Sequence, residues 1–436
     1  MNKRQIKNRW VVVAGAISIQ LALGAIYAWS VFTKILTDPN GLYQFTAKET
    51  ALIFSAGLAT FALVMILAGR FQAKYGPQKT AMFGGLLLGL GYILGGFFGN
   101  TFLTQLIFIG IGGGGGIGMA YVVPIAVGVK WFPDKKGMIT GLAVAGFGFG
   151  ATIWVKLADS WFDGLLNTTS LFGLPNVQSV FLIYGIIFII LVLLGSRVMV
   201  NPPEGYIPEG WIEKSTLNHS SKIRHFSSID MLKTSQFYFI WVTFIFSALS
   251  GLMVIYCIRL FGVDALKYHG VENAGLLAGT AMAWYAIFNG AGRIVWGIIS
   301  DRIGRRLSII LMTLFQGIIM LMVYHVFMSY GSSLGFIISA SIIGFNFGGN
   351  FALFPAITAD YFGNKNLGTN YGWIFSAYGI AGIAGPFIAG YFKDSAQLAG
   401  DPSIWMTPFI IAGVSCLFGA LVMFFTHPPV SIENKV

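Results

Sequence analysis

Twelve apolar runs, each about 20 residues or longer, leave this chain few ways to fold, because a helix of that length is what crosses a ~30 Å hydrocarbon layer. They lie near residues 9–35, 48–70, 79–99, 103–129, 137–161, 178–200, 236–261, 274–300, 306–328, 334–359, 368–392 and 403–426. Only 10% of the 436 residues are charged, where soluble domains carry about 25%. The runs therefore predict an all-α polytopic membrane protein of twelve transmembrane helices, embedded in a lipid bilayer. The net charge of +11 does not point to nucleic acid, because the basic residues sit in short connections between apolar runs. Cys257 and Cys416 both fall inside such runs and define no disulfide framework. The basic N-terminus leads into a run too long for a signal-peptide core, which predicts a retained first helix.

The one long polar connection, 201–235, contains Pro202, Pro203 and Pro208. It divides the chain into a bundle over 1–200, a central loop over 201–235 and a second bundle over 236–436. Of the 27 Lys and Arg residues, six (Lys34, Lys48, Lys156, Arg259, Lys267 and Lys393) fall at one side of the alternating runs. Arg293 lies within a run and the rest fall at the other side. That bias places both termini and the central loop in the cytoplasm. The halves also repeat. Gly69, Lys74 and Gly76, in Gly-Arg-Phe-Gln-Ala-Lys-Tyr-Gly, precede Gly297, Arg302 and Gly304 by 228 residues. Phe147-Gly148 precede Tyr378-Gly379 by 231. A near-constant offset across several helices predicts two pseudo-symmetric six-helix bundles, with ligand near the midplane between them.

Within the eighth run stands a single guanidinium, Arg293, eight residues before Asp301. At 1.5 Å per residue it lies roughly 12 Å in from the end of the run. A charge at that depth costs at least ~2.5 kcal/mol, so an intramembrane ionisable residue is a functional candidate by default. No Asp or Glu lies mid-span in any run to neutralise it. The planar fork of Arg matches a carboxylate in a paired geometry that Lys cannot copy. Asn289, one turn earlier on the same face, is a candidate for a second oxygen or hydroxyl of the ligand. Tyr285 and Trp296 flank that face.

Further candidates for the binding site are Tyr121 and Tyr378 as hydroxyl donors, with Tyr27, Asn346 and Phe347. In lipid, polar residues of this kind also serve as glue between helices. Lys156, with Asp159 three residues on, reads either as an anion-attracting group near the outer end or as an interfacial Lys paired locally. The glycine run 112–116 lacks the Gly-Lys-Ser/Thr ending of a phosphate loop and reads as a close-packing surface. No nucleophile–base pair, metal-ligand spacing or paired carboxylates occur in the spans, so the chain is expected to be no enzyme and to need no cofactor or metal.

The turn Gly297-x-x-x-Asp301-Arg302-x-Gly304-Arg305-Arg306, with its degraded copy after helix 2, resembles the signature of the major facilitator superfamily. Asn8-Arg9-Trp10, Gly24 to Phe32, Trp131 to Gly137, Phe345 to Gly349 and Asn370-Tyr371-Gly372 resemble one branch, the oxalate/formate antiporter family, which is related to monocarboxylate transporters. The resemblance implies a secondary transporter of small monocarboxylates working by alternating access, either by exchange or coupled to a proton. It implies an inner, plasma-membrane location, a monomer and no nucleic-acid partner. It also implies a gating role for Gly297, Asp301, Arg302, Gly304 and Arg305, and for Gly69, Lys74 and Gly76 in the first half. There Ala73 stands where the pattern usually has Asp, which weakens any charge latch on that side. The family's oxalate exchanger carries a helix-11 Lys that aligns with Tyr378, so this chain resembles members proposed to move pyruvate-, lactate- or formate-like monoanions. The alternatives are an oxalate-type dicarboxylate antiporter with Lys156 as second cation, and a carboxylate sensor that does not transport.

Overall fold

In the computed structural model, residues 8–208, 225–399 and 402–429 are described. Twelve long helical segments run back and forth through the molecule. The first, α1, is Trp10–Leu23, continued through a 3-10 turn at Gly24–Ala28 into Trp29–Leu36. Then follow α2 (Ala47–Tyr75), α3 (Pro77–Phe98), α4 (Phe102–Trp131), α5 (Lys136–Asp159) and α6 (Asn176–Ser196). The second half comprises α7 (Ser235–Tyr268), α8 (Ala274–Ile303), α9 (Arg305–Tyr330), α10 (Ser333–Phe362), α11 (Leu367–Ala399) and α12 (Met406–Phe424). Eleven helices among the described residues are both long and apolar enough to cross a membrane. The Arg293 helix, α8, has the length, at 30 residues, and falls short only in apolarity. The protein is an integral membrane protein.

Two helices differ from the unbroken rods that the apolar runs suggest. The 3-10 turn in α1 carries Tyr27 and seats Gly24 against the Phe147 carbonyl of α5, where a Cβ would collide. In α4, Leu106–Gly113 winds as a wider π-helix before ordinary α geometry resumes at Gly114. Both irregularities lie in glycine-bearing apolar sequence, where the loss of an i→i−4 bond leaves no compositional trace. The latter part of the expected central loop is also more structured than its polarity suggests. A short helix, Ser228–Leu232, precedes α7, and the Phe226 carbonyl accepts from Asn366 (2.8 Å) and Asn370 (3.1 Å) at the start of α11.

The halves meet chiefly along two helix pairs, α5 with α8 and α2 with α11. Both contacts depend on missing side chains. A Cβ on Gly141 would strike the Arg293 carbonyl, and one on Gly69 would meet Gly368 and Thr369 backbone at 2.5 Å. Small residues let backbones approach this closely, which is how helices associate where lipid offers no hydrophobic drive. Both contacts are tight at the end bearing the basic turns, here called the basic end. Towards the opposite end, Gly275 and Gly279 of α8 have open space beside them.

Candidate functional site

Arg293 is buried, and its side chain points back along α8 towards Asn289, as helix geometry directs. The Asn289 Oδ1 accepts from both Nε (3.1 Å) and Nη2 (3.0 Å). From the other half of the molecule, the Val144 carbonyl on α5 accepts from Nη1 at 2.8 Å. Phe351 of α10 lies under the guanidinium with its centroid 4.2 Å from Cζ, and Phe147 of α5 lies 5.4 Å away. Each such stacking stabilises a desolvated cation by ~0.5–2 kcal/mol. No ion pair involving Arg293 forms among the described residues.

A guanidinium has five N–H groups. Three are used here, one from each nitrogen, so the two that remain are shared between Nη1 and Nη2. Those terminal nitrogens are the edge on which a carboxylate can lie in a paired geometry. Around it stand further donors without acceptors. The Tyr121 hydroxyl and the Asn289 Nδ2 are buried with no hydrogen-bond partner. Tyr27 and Tyr378 bond hydroxyl to hydroxyl across the two halves at 2.5 Å, which uses one of their two protons and leaves the other to give. The frame is aromatic: Phe61 packs on Tyr121 (5.0 Å) and Phe375 (4.8 Å), and Phe375 on Tyr378 (4.9 Å). The centre is thus buried, cationic and rich in N–H and O–H groups, the chemistry of an anion receptor.

The structure brings together Arg293, Asn289, Tyr27, Tyr121 and Tyr378 and leaves the other candidates elsewhere. Asn289 differs from its expected role. Its oxygen fixes the guanidinium, so only its amide nitrogen is left for a ligand. Asn346 accepts from the Trp296 indole at 3.2 Å and ties α10 to α8. Phe347 packs against Gly251 of α7 and faces Tyr285 rather than Arg293. Lys156 lies nine residues beyond Phe147, about 14 Å along α5 at 1.5 Å per residue, and is partly exposed towards the opposite end. The sequence reading missed Phe61, Phe147, Phe351, Phe375 and the Val144 carbonyl. Phe147 alone had a signal, its repeat relation to Tyr378.

At the basic end Asp301 crosses between the halves. Its two oxygens accept from the Gly137 and Met138 backbone N–H groups at 2.9 and 2.8 Å, capping the start of α5. Arg305 bonds both Asp301 and Asp360, the latter at 2.9 Å, and Lys136 reaches Asp360 at 2.8 Å. Gly297 lies against the Gly137 carbonyl. Gly304 ends α8 at φ +91° and Gly76 ends α2 at φ +87°, a region that favours residues without Cβ. Arg302 and Lys74 are exposed; Lys74 lies over its neighbour Tyr75, and neither joins this network. Around Gly69, the contact with α11 is backbone packing.

A two-bundle helical fold closed around a buried, anion-ready cation defines a membrane carrier. The chain belongs to the Major Facilitator Superfamily, whose family profile matches residues 10–277 and 270–436. It is 29% identical to the MFS-type transporter YhjX of Escherichia coli, over 86% of each chain. It is 26% identical to the oxalate:formate antiporter of Oxalobacter formigenes, over 97% of this chain and 92% of that protein. With the apicoplast pyruvate carrier 1 of Toxoplasma gondii it shares 23% identity, over 85% and 82%. Among solved structures, the transporter FucP in its outward conformation superposes with a TM-score of 0.63 over 96% of this chain and 99% of that one, at 16% identity. That likeness concerns the fold.

Proposed function

We propose that this protein carries small monocarboxylates of the pyruvate, lactate or formate kind by alternating access, with Arg293 gripping the carboxylate. The observation that carries the reading is a buried Arg293 with one N–H to spare on each of Nη1 and Nη2, set among unpartnered donors. An anion bound there cancels a charge that otherwise costs several kcal/mol to enclose, so the loaded site is the one most easily shut off from water. Tyr121, the Asn289 amide nitrogen and the Tyr27–Tyr378 pair supply the remaining hydrogen bonds. Asp301, Arg305, Lys136 and Asp360 form the latch that holds the basic end closed, and the Lys/Arg bias makes that end cytoplasmic. The matched antiporter and pyruvate carrier handle acids of this kind by name.

The dicarboxylate alternative needs a second cation at the centre. Lys156 stands about two and a half turns away, and Tyr378 is engaged with Tyr27, which favours a single charge on the substrate. The test is uptake of labelled pyruvate and lactate by proteoliposomes carrying the wild type, Arg293→Lys or Arg293→Ala. Both variants should reach the membrane and lose uptake. Wild-type uptake by Arg293→Lys would refute a paired grip, and oxalate competing far better than lactate would refute the monocarboxylate preference.

A further inference from the structure

One stripe of α11 leads away from the site towards the basic end. Tyr378, Phe375 and Tyr371 are spaced three and four residues apart and so share a helix face. Tyr378 reaches Tyr27 across the halves. Phe375 packs on Phe61 and, at 5.4 Å, on Tyr121. Tyr371 follows, its ring 5.7 Å from Phe375 and fully buried, and its hydroxyl has no hydrogen-bond partner. Seven residues separate Tyr371 from Tyr378, about 10 Å along the helix axis. Immediately beyond it, Gly372 lies against the Met65 carbonyl, and Gly368 and Thr369 lie against Gly69, where the halves are sealed. Tyr371 therefore stands between the anion site and the seal.

A buried phenol with no acceptor costs about 1–3 kcal/mol. A Phe would fill the same volume without that cost, and the neighbouring stripe position, Phe375, is a Phe. We propose that Tyr371 is a second, transient station for the carboxylate. Its O–H takes over one carboxylate oxygen, alongside Tyr121, as the anion leaves Arg293 for the basic end. The anion then moves from a charged donor to neutral ones before reaching water. The inference rests on the monocarboxylate reading of the Arg293 site.

The test is Tyr371→Phe, which keeps the ring and removes only the hydroxyl, compared with the wild type and Arg293→Lys in proteoliposomes. Three quantities are measured: thermal stability, stabilisation by pyruvate, and the maximal flux of labelled pyruvate. One neutral hydrogen bond lost from a transition state corresponds to a two- to tenfold change in rate, roughly. Tyr371→Phe should therefore lower maximal flux about two- to tenfold, with pyruvate stabilisation as in the wild type and thermal stability equal or higher. A purely packing role predicts unchanged flux, and that result overturns the station while leaving Arg293 in place. A drop in stability with unchanged flux per folded molecule overturns it as well. Should wild type and Arg293→Lys respond alike to pyruvate, the underlying reading fails, and the station with it.

Discussion

Asn289→Asp is the sharpest probe of how the site works, because it changes one atom of the group that holds the guanidinium. The amide oxygen lies 3.0–3.1 Å from two Arg293 nitrogens, so a carboxylate there would form an ion pair with charges about 4 Å apart. At an effective dielectric constant of about 20, that is ~4 kcal/mol of attraction, or roughly three decades in an equilibrium constant. An incoming anion would meet a neutralised fork and a new repelling charge. Its affinity should then fall by up to ~1,000-fold at neutral pH. The pH dependence follows from the same charges. In the unliganded variant the new carboxylate is held ionised by Arg293, whereas a bound anion competes for that cation and favours the protonated acid, so binding is coupled to uptake of a proton. Each pH unit downward should recover up to about tenfold in affinity, while the wild type, with an amide in place, should change little between about pH 7.5 and about pH 5.5. Thermal-shift titration with pyruvate at the two pH values reads both effects. Undiminished pyruvate binding by Asn289→Asp at neutral pH would refute the idea that the substrate carboxylate and this side chain share one guanidinium.

Other consequences are simpler to state. Asp301→Asn keeps the shape but replaces the charged cap of the Gly137 and Met138 N–H groups and removes a partner of Arg305. The closed basic end should weaken by about 1–3 kcal/mol, seen as increased labelling of a cysteine introduced at Met138; unchanged labelling would refute the latch. Gly141→Val forces side-chain atoms against the Arg293 carbonyl, so α5 and α8 must separate and transport should be abolished in a protein that still inserts, as uptake and membrane yield together report. His225, at the docked end of the central loop, has its pKa lowered by burial and by Lys365 and Lys136. The unfolded state therefore binds the extra proton as pH falls below about 6.5, and docking is favoured above that value and weakened below it. The protection of the Phe226 amide, the intrinsic exchange rate over the observed rate at the same pH, should fall on acidification, and His225→Gln should remove that dependence.

The fold was legible because length and apolarity dictate a membrane-spanning helix almost without regard to neighbours, and because the repeat offsets were exact enough to pair the halves. Arg293 was legible because a lone charge in oil is conspicuous. Its surroundings were not. The chain has 39 phenylalanines, and nothing local distinguishes Phe351 under the guanidinium from Phe387, which is 77% exposed. In lipid both faces of a helix are apolar, so the periodicity that marks an interior in soluble proteins is lost. Asn289 was placed on the right face but read as facing the ligand, since spacing gives a side chain's direction and not which of its atoms is already spent. Asn346 and Phe347 share a glycine-rich helix with Phe351 and Asn350, and only packing decides which of them meets the centre. Asn370 gained meaning only when the returning central loop was seen to rest on it.

The sealed end is not symmetrical. On one flank a carboxylate grips a helix start and draws two basic groups and a second acid around it; on the other, Ala73 occupies the equivalent turn and bare backbones merely touch. A door fastened along one edge gives way first along the other. Leaving the bolted flank as the jamb, the first gap should open between α2 and α11, and cargo emerging there would pass Tyr371 on its way out.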